Sequence, residues 1–378
     1  MKRTKYLSLI ILLFLGVTTR LSAQDKILIV VTNNKEVKAT IAGKDTVVAG
    51  GYELSEVAEA YKVFSESGFA VDFMSPMGGM TYAEPEEKMK EVNKEFLSNP
   101  ENVSKLKNTL APSQAKAADY RAIYFAGGKT MWDFPDSKEL AKLTAEIYES
   151  KGTVGAVCHG PAALVNVKLS DGSSLIKGKK ISSFTDMEEK LFSKTAKYLP
   201  FMLQERLTSL GADFREAPAM LDQAVVDGRL VTGQNPNSTY SVAEEMVRVL
   251  GKTPPSRKWT DMSYTLAVAK AIILEGTVEA KAFYKAHAAT NQLDEELFLS
   301  YSMYSAKGYL GEVAQNKGIA LLEFGTEVFP QNAKGHEALA EAYHKQGEAK
   351  KALASIDKSL SLEPDSESAQ KLKKEIQE

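Results

Sequence analysis

Cys158 and His159 adjoin in the run Thr153-Val154-Gly155-Ala156-Val157-Cys158-His159-Gly160-Pro161-Ala162-Ala163-Leu164, and Cys158 is the chain's single cysteine. An apolar strand that ends in cysteine and turns at once into a helix must bend sharply, which lifts the thiol out of the sheet. The free N–H groups and the dipole at such a helix start would favour a thiolate. Pro161 suits a first turn, where its missing N–H costs nothing, and Gly160 permits close backbone approach. A thiolate beside an imidazole can add to an electrophilic carbon while the imidazole moves protons. The alternative is a buried cysteine packing as a small hydrophobe beside a helix cap. Being alone, Cys158 cannot close a disulfide within the chain, so the fold rests on its core.

The elements around this segment have to hold it in a sheet. KILIVVTNN, residues 26–34, carries a continuous apolar run from Ile27 to Val31, the pattern of a strand covered on both faces. Leu54, Val57, Ala58, Tyr61 and Phe64 follow at helical spacing up to Gly68, and FAVDFMSP then reads as a second strand. Strand, helix, strand predicts a right-handed parallel crossover. The polar segment 82–118 reads as surface helices and loops. DYRAIYFAGG at 119–128 and SKELAKLTAEIYESKG at 137–152 resume the alternation, which runs to YSVAEEMVRVL near Leu250. The expectation for residues 25–250 is an α/β domain, a flavodoxin-like three-layer α/β/α sandwich with a nucleophile elbow.

The stretches AVCHGPAAL, GYELSEVAEAYKVFSESGFAVDFMSPMGG and LVTGQNPNST together resemble the PfpI/ThiJ superfamily of class I glutamine-amidotransferase-like domains, in its heat-shock chaperone and glutathione-independent glyoxalase branch. The resemblance covers roughly residues 25–250. It implies Cys158 as nucleophile, His159 as acid/base, Glu56 near the thiol, and a further carboxylate orienting the imidazole. Spacing alone does not separate Glu188 from Glu189, and the resemblance selects Glu189. Backbone N–H groups at Gly128 and His159 are the expected oxyanion donors. The implied reaction is addition of the thiol to a small aldehyde or 2-oxoaldehyde such as methylglyoxal and conversion to lactate through a hemithioacetal, with no cofactor and no metal.

The sequence departs from that branch at two places. Gly127-Gly128-Lys129 leads directly into Thr130-Met131-Trp132-Asp133, without the histidine and final glycine of the family loop. Lys129 would then favour an anionic substrate, or is a solvated loop residue. Glu59 and Ala60 stand where the branch has histidine and proline, so Glu59 is expected at the pocket. Asn235, with Pro236, ends a strand and shapes the pocket rim, a turn role that competes with a catalytic one. An envelope chaperone or peptide-binding protein, and an amidase or peptidase using the same cysteine, stand as alternative functions.

Outside this domain, Lys2, Arg3 and Lys5 precede an apolar stretch from Leu7 to Val17, with Ser22 and Ala23 beyond. That layout predicts a secretory signal over residues 1–24, hence a periplasmic or secreted protein without a permanent membrane anchor; an uncleaved anchor is the alternative. A net charge of −2 gives no basic surface for nucleic acid. GKTPPSRKW opens a linker at 251–260, and residues 261–378 read as helical. Pro330 and Pro364 lie 34 residues apart, the tetratricopeptide period. Such repeats, over 299–364, would offer a peptide or protein surface, or act as a cap that docks on the enzyme or pairs two subunits. A homodimer is implied by the resemblance. His287, His336 and His344, in this helical region, form no ligand pattern for a metal.

Overall fold

The computed structural model describes residues 25–378 apart from Glu87, so the leader expected at 1–24 lies outside the described residues. The chain opens with β1 (Lys26–Val30), a hairpin of β2 (Glu36–Ile41) and β3 (Lys44–Ala49), α1 (Leu54–Glu66), β4 (Ala70–Met74), α2 (Glu91–Leu97) and α3 (Pro100–Lys107). It continues through β5 (Ala122–Phe125), α4 (Lys138–Glu149), β6 (Thr153–Val157), β7 (Lys180–Ile181), α5 (Asp186–Phe192) and α6 (Leu203–Ser209). The α/β domain closes with β8 (Asp213–Phe214), β9 (Ala224–Asp227), β10 (Leu230–Gly233) and α7 (Thr239–Val249).

The main sheet has the order β4-β1-β5-β6-β10-β9, parallel except for β9, which pairs antiparallel with β10. Strand periodicity sorts its side chains into two cores. Leu28, Val30, Ile123, Phe125, Val154 and Ala156 face Leu140, Leu143 and Ile147 of α4. Ile27, Ile29, Ala122, Tyr124 and Val231 face α1 and α7. Helices on both faces of a mostly parallel sheet make the expected flavodoxin-like sandwich. From β1 the chain steps out to β4 and then back to β5, so the order reverses there, and the carboxyl ends of the central strands open a crevice.

Residues 251–260 are not helical, and eight helices follow: α8 (Asp261–Leu274), α9 (Thr277–His287), α10 (Glu295–Ala306), α11 (Glu312–Gln315), α12 (Gly318–Val328), α13 (Ala333–Lys345), α14 (Ala349–Leu362) and α15 (Glu367–Gln377). This region is a distinct all-helical unit with its own cores. One gathers Tyr264, Ile272, Phe298, Tyr301 and Phe324; the other gathers Leu322, Leu339, Ala340, Ala352 and Ile356. The first core also encloses Ala219 and Leu221 of the α/β domain, so the two units share buried surface. No described helix is long and apolar enough to cross a membrane.

Two local expectations are corrected. The segment after Cys158 is a five-residue 3-10 turn, Gly160–Leu164, and not an α-helix. The hairpin β2–β3, between the first strand and the first helix, was not anticipated; Lys38, Lys44 and Asp45 interrupt its apolar alternation.

Candidate active site

β6 lies between β5 and β10 and delivers Cys158 at its carboxyl end. Cys158 takes φ +58°, a left-handed conformation that costs a non-glycine residue on the order of 1–2 kcal/mol. The surroundings enforce it. Its N–H donates to the Gly233 carbonyl at 3.0 Å, and its carbonyl accepts from the Phe184 N–H at 2.8 Å. Gly160 is needed next, because a Cβ there would come within 2.2 Å of the Phe125 carbonyl oxygen. The Thr130 hydroxyl donates to the His159 carbonyl at 3.0 Å, tying the neighbouring loop to the bend.

His159 Nδ1 lies 3.5 Å from Cys158 Sγ, and His159 Nε2 lies 2.6 Å from Glu189 Oε2. Burial alone would raise the Glu189 carboxyl, but the His159 hydrogen bond and charge outweigh it, so its pKa is lowered and it stays ionised. An ionised carboxylate can only accept, which assigns an N–H to Nε2; in the neutral imidazole that the thiol's proton would meet, Nδ1 then turns its lone pair toward sulfur. Glu188, the competing candidate, faces away: it accepts from the Met220 N–H at 2.8 Å, from Asn235 Nδ2 at 2.9 Å and from the Thr185 N–H at 3.1 Å.

Glu56 enters from the first turn of α1 and is fully buried. Its Oε2 accepts from the Gly127 N–H at 2.5 Å, while Oε1 has no partner among the described residues. Burial, then the nearby Glu53 charge, push its pKa well above the carboxylate range. A neutral Glu56 therefore carries a proton beside Cys158, since Glu56 Oε2 and Cys158 Cβ both crowd the same point next to Gly127. Burial also pushes the Cys158 thiol up, and the Glu56 carboxyl adds to this. The expectation of a resting thiolate is corrected accordingly. A five-residue turn brings too little dipole to offset enclosure in apolar packing.

Cys158, His159 and Glu56 line one cleft of about 540 Å³ together with Glu53, Glu84, Gly128, Lys129, Phe184, Met220, Lys194 and Pro236, and with Ile41, Val48 and Ala49 of the hairpin; Glu189 stands behind His159, outside the lining. Among the described residues, neither the Gly128 nor the His159 N–H donates to another protein group, so both are free to meet an oxyanion. Lys129 is in the cleft but not a free cation. Its ammonium pairs with Glu84 at 2.8 Å, and although burial opposes its charge, Glu84 raises its pKa overall. With Glu56 neutral and Glu84 paired to Lys129, Glu53 and Lys194 remain as opposite charges in the lining, so the cleft is suited to an uncharged carbonyl compound, and the anion preference expected from Lys129 loses its basis.

Besides Glu189, two other expected positions lie outside the cleft lining. Glu59 sits one turn beyond Glu56, a rise of about 4.5 Å along the helix. Burial pushes its carboxyl up to about 8, against the opposing pull of Lys90 and Arg257. Asn235 is fully buried behind the cleft, where Nδ2 donates to Glu188 Oε1 and to the Leu221 carbonyl, both at 2.9 Å. Its neighbour Pro236 reaches the cleft instead. Glu53, Glu84, Phe184 and Met220 were not anticipated. Glu84 sits in a polar loop with no periodic signal, and its pairing with Lys129 spans 45 residues.

Residues 46–249 match the DJ-1/PfpI family. Glyoxalase 3 of Candida albicans is 34% identical over 215 residues, covering 52% of this chain and 88% of that protein. A glutathione-independent glyoxalase of Saccharomyces cerevisiae is 31% identical, covering 60% of this chain and 99% of that one. Among solved structures, Rapid Encystment Protein 24 kDa from Francisella tularensis superposes with a TM-score of 0.55 at 30% identity, over 60% of this chain and 99% of that one. The crystal structure of glyoxalase III from Candida albicans gives 0.54 at 29% identity, over 60% and 98%. The expectation of a secreted or periplasmic protein is corrected by these relatives, since the fungal glyoxalases are cytoplasmic. The elbow, the paired imidazole and the buried glutamate all fall within the matched segment, and the chain belongs to the DJ-1/PfpI family.

Proposed function

We propose that the chain is a cofactor-independent cysteine enzyme that converts methylglyoxal, or a closely similar 2-oxoaldehyde, to the 2-hydroxy acid. The observation that carries this reading is the line Glu189–His159–Cys158, with the unpartnered Oε1 of a neutral Glu56 beside it in the same cleft. Such an arrangement offers a nucleophile, a proton carrier and a hydrogen-bond donor to one small carbonyl. The relatives named as glutathione-independent glyoxalases support the substrate class.

Sulfur attacks the aldehyde carbon as Nδ1 of His159 takes the thiol proton. The aldehyde oxygen gains charge, which the Glu56 carboxyl and the N–H groups of Gly128 and His159 stabilise, and protonation gives a hemithioacetal. His159 then moves the proton from the former aldehyde carbon to the adjacent carbon through an enediol. The first carbon is oxidised to a thioester as the second is reduced to an alcohol, so no external oxidant or reductant enters. Water cleaves the thioester, releasing lactate and restoring the thiol. The uncharged dicarbonyl suits a wall whose acids are protonated or balanced by Lys129 and Lys194, and Phe184 and Met220 offer apolar contact to its methyl group.

Methylglyoxal supplied without glutathione should yield lactate, followed by proton NMR. Cys158→Ala should reduce the rate by at least about a thousandfold. Turnover by Cys158→Ala near that of the unaltered chain would refute the mechanism. We further read α10 to α14 as tetratricopeptide-like pairs, because α13 and α14 are joined by three residues and share one core in a segment where Pro330 and Pro364 lie 34 residues apart.

A further inference from the structure

We propose that the C-terminal helical domain sets the size of the electrophile admitted to Cys158, with Tyr301 as the positioning residue that holds Met220 at the mouth of the cleft. The inference rests on the reading of Cys158 as the reactive thiol.

Met220 lines the same cleft as Cys158 and His159, yet nothing in its own segment fixes it there. Its backbone has φ +67°, a left-handed conformation that a methionine adopts only when its surroundings impose it. The constraints come from both domains. Within the α/β domain, the Met220 N–H donates to Glu188 Oε1 at 2.8 Å, and its carbonyl accepts from Asn237 Nδ2 at 2.8 Å. From the helical domain, the Tyr301 hydroxyl of α10 donates to the Ala219 carbonyl at 3.2 Å, and the Leu310 carbonyl accepts from the Ala219 N–H at 3.4 Å. Ala219 and Tyr301 are both buried, so water cannot readily replace either bond.

The Ala219–Met220 segment of the cleft wall is thus clamped between an α5 carboxylate, which holds Met220, and a tyrosine more than 80 positions later in the chain, which holds Ala219. Glu188 adjoins Glu189, which holds the imidazole, so the clamp ends on the helix that orients the proton carrier. A methionine side chain is flexible, and the width of the opening is set by where its backbone is held. Without the hydroxyl, the buried Ala219 carbonyl lacks its donor and the loop gains by moving toward solvent. A bulky electrophile would benefit from that movement, and a small one would not.

Because the chain has one cysteine, intact-mass measurement reads Cys158 directly. The full chain, Tyr301→Phe and Met220→Ala are each labelled with iodoacetamide, a small probe, and with N-phenylmaleimide, a bulky one, while thermal unfolding is recorded in parallel. Both variants should raise the ratio of bulky to small labelling rates by about threefold or more, with the iodoacetamide rate changed less than about twofold. A ratio unchanged in Tyr301→Phe overturns the proposal, whatever happens to the melting temperature. Labelling of the unaltered chain together with an unchanged ratio leaves the thiol reading intact. Absence of any Cys158 labelling in the unaltered chain would overturn both, since no mouth would then lead to sulfur.

Discussion

At the scale of single residues, the site depends on a proton held where burial would otherwise forbid a charge. Glu56 is fully enclosed and its carboxyl titrates well above its ordinary value of 4.5. Between those values the unfolded chain binds fewer protons than the folded one, so stability falls as pH rises across that window. Glu56→Gln removes the penalty while keeping an oxygen to accept the Gly127 N–H. The variant should be more stable than the unaltered chain by on the order of 1 kcal/mol near neutrality, with the gap shrinking toward about pH 5. Thermal unfolding at about pH 5 and about pH 8 checks this; a variant less stable at both would contradict a neutral Glu56. Activity should fall in the same variant, since a carboxamide cannot supply an acidic proton. Glu189 runs the other way. Its lowered pKa means that its contribution is present above the ordinary 4.5 and is lost as pH falls through the folded value.

At the scale of elements, the bend after β6 is the feature on which the rest is aligned. Gly160→Ala should cost about 1–3 kcal/mol, because the added Cβ meets backbone that cannot retreat. Urea denaturation measures this, and a loss below about 0.5 kcal/mol would mean that the bend relaxes freely. The strand leading into it was legible because Val154 to Val157 carries no polar side chain and a glycine-proline pair follows two residues after it. The form of the turn was not legible, since Gly160-Pro161-Ala162-Ala163-Leu164 is compatible with either helix type and tertiary packing decides between them. Ile27 to Val31 announced a strand buried on both faces, whereas the exposed hairpin β2–β3, with its charged residues, carried no comparable apolar signal. The pairing of Glu189 with His159 needed the resemblance, because Glu188 and Glu189 occupy the same turn of α5 and only the fold turns one toward each side. Lys129 was visible, but its neutralisation by Glu84 was not, since the two meet only through the folded chain.

At the scale of the whole molecule, the relatives account for the α/β domain, and the helical domain extends beyond the matched segment. The connection between the two is anchored rather than free. Arg257 donates to both oxygens of Glu244, at 2.9 and 3.1 Å, and to Ser241 at 2.8 Å. Ala219 and Leu221 lie inside the helical core, and Leu221 is fully buried. Leu221→Ala should therefore destabilise by about 2–5 kcal/mol and lower the unfolding of both domains together. Hydrogen exchange in α8 and in β10 reads the two sides separately; loss of protection confined to the α/β domain would show that the shared core does not couple them.

The claim on which the chemistry turns is that sulfur of Cys158 bonds to the aldehyde carbon of the substrate. Carbon-13 NMR of His159→Ala mixed with methylglyoxal labelled at the aldehyde carbon and brought to equilibrium tests it directly, because solvent can take the thiol proton so that the adduct still forms, more slowly, whereas no imidazole then carries the carbon-bound proton onward. A hemithioacetal carbon signal that is absent when Cys158 is also changed to alanine is the expected result. Lactate formation by Cys158→Ala at an unaltered rate, with no such signal in His159→Ala, would contradict it.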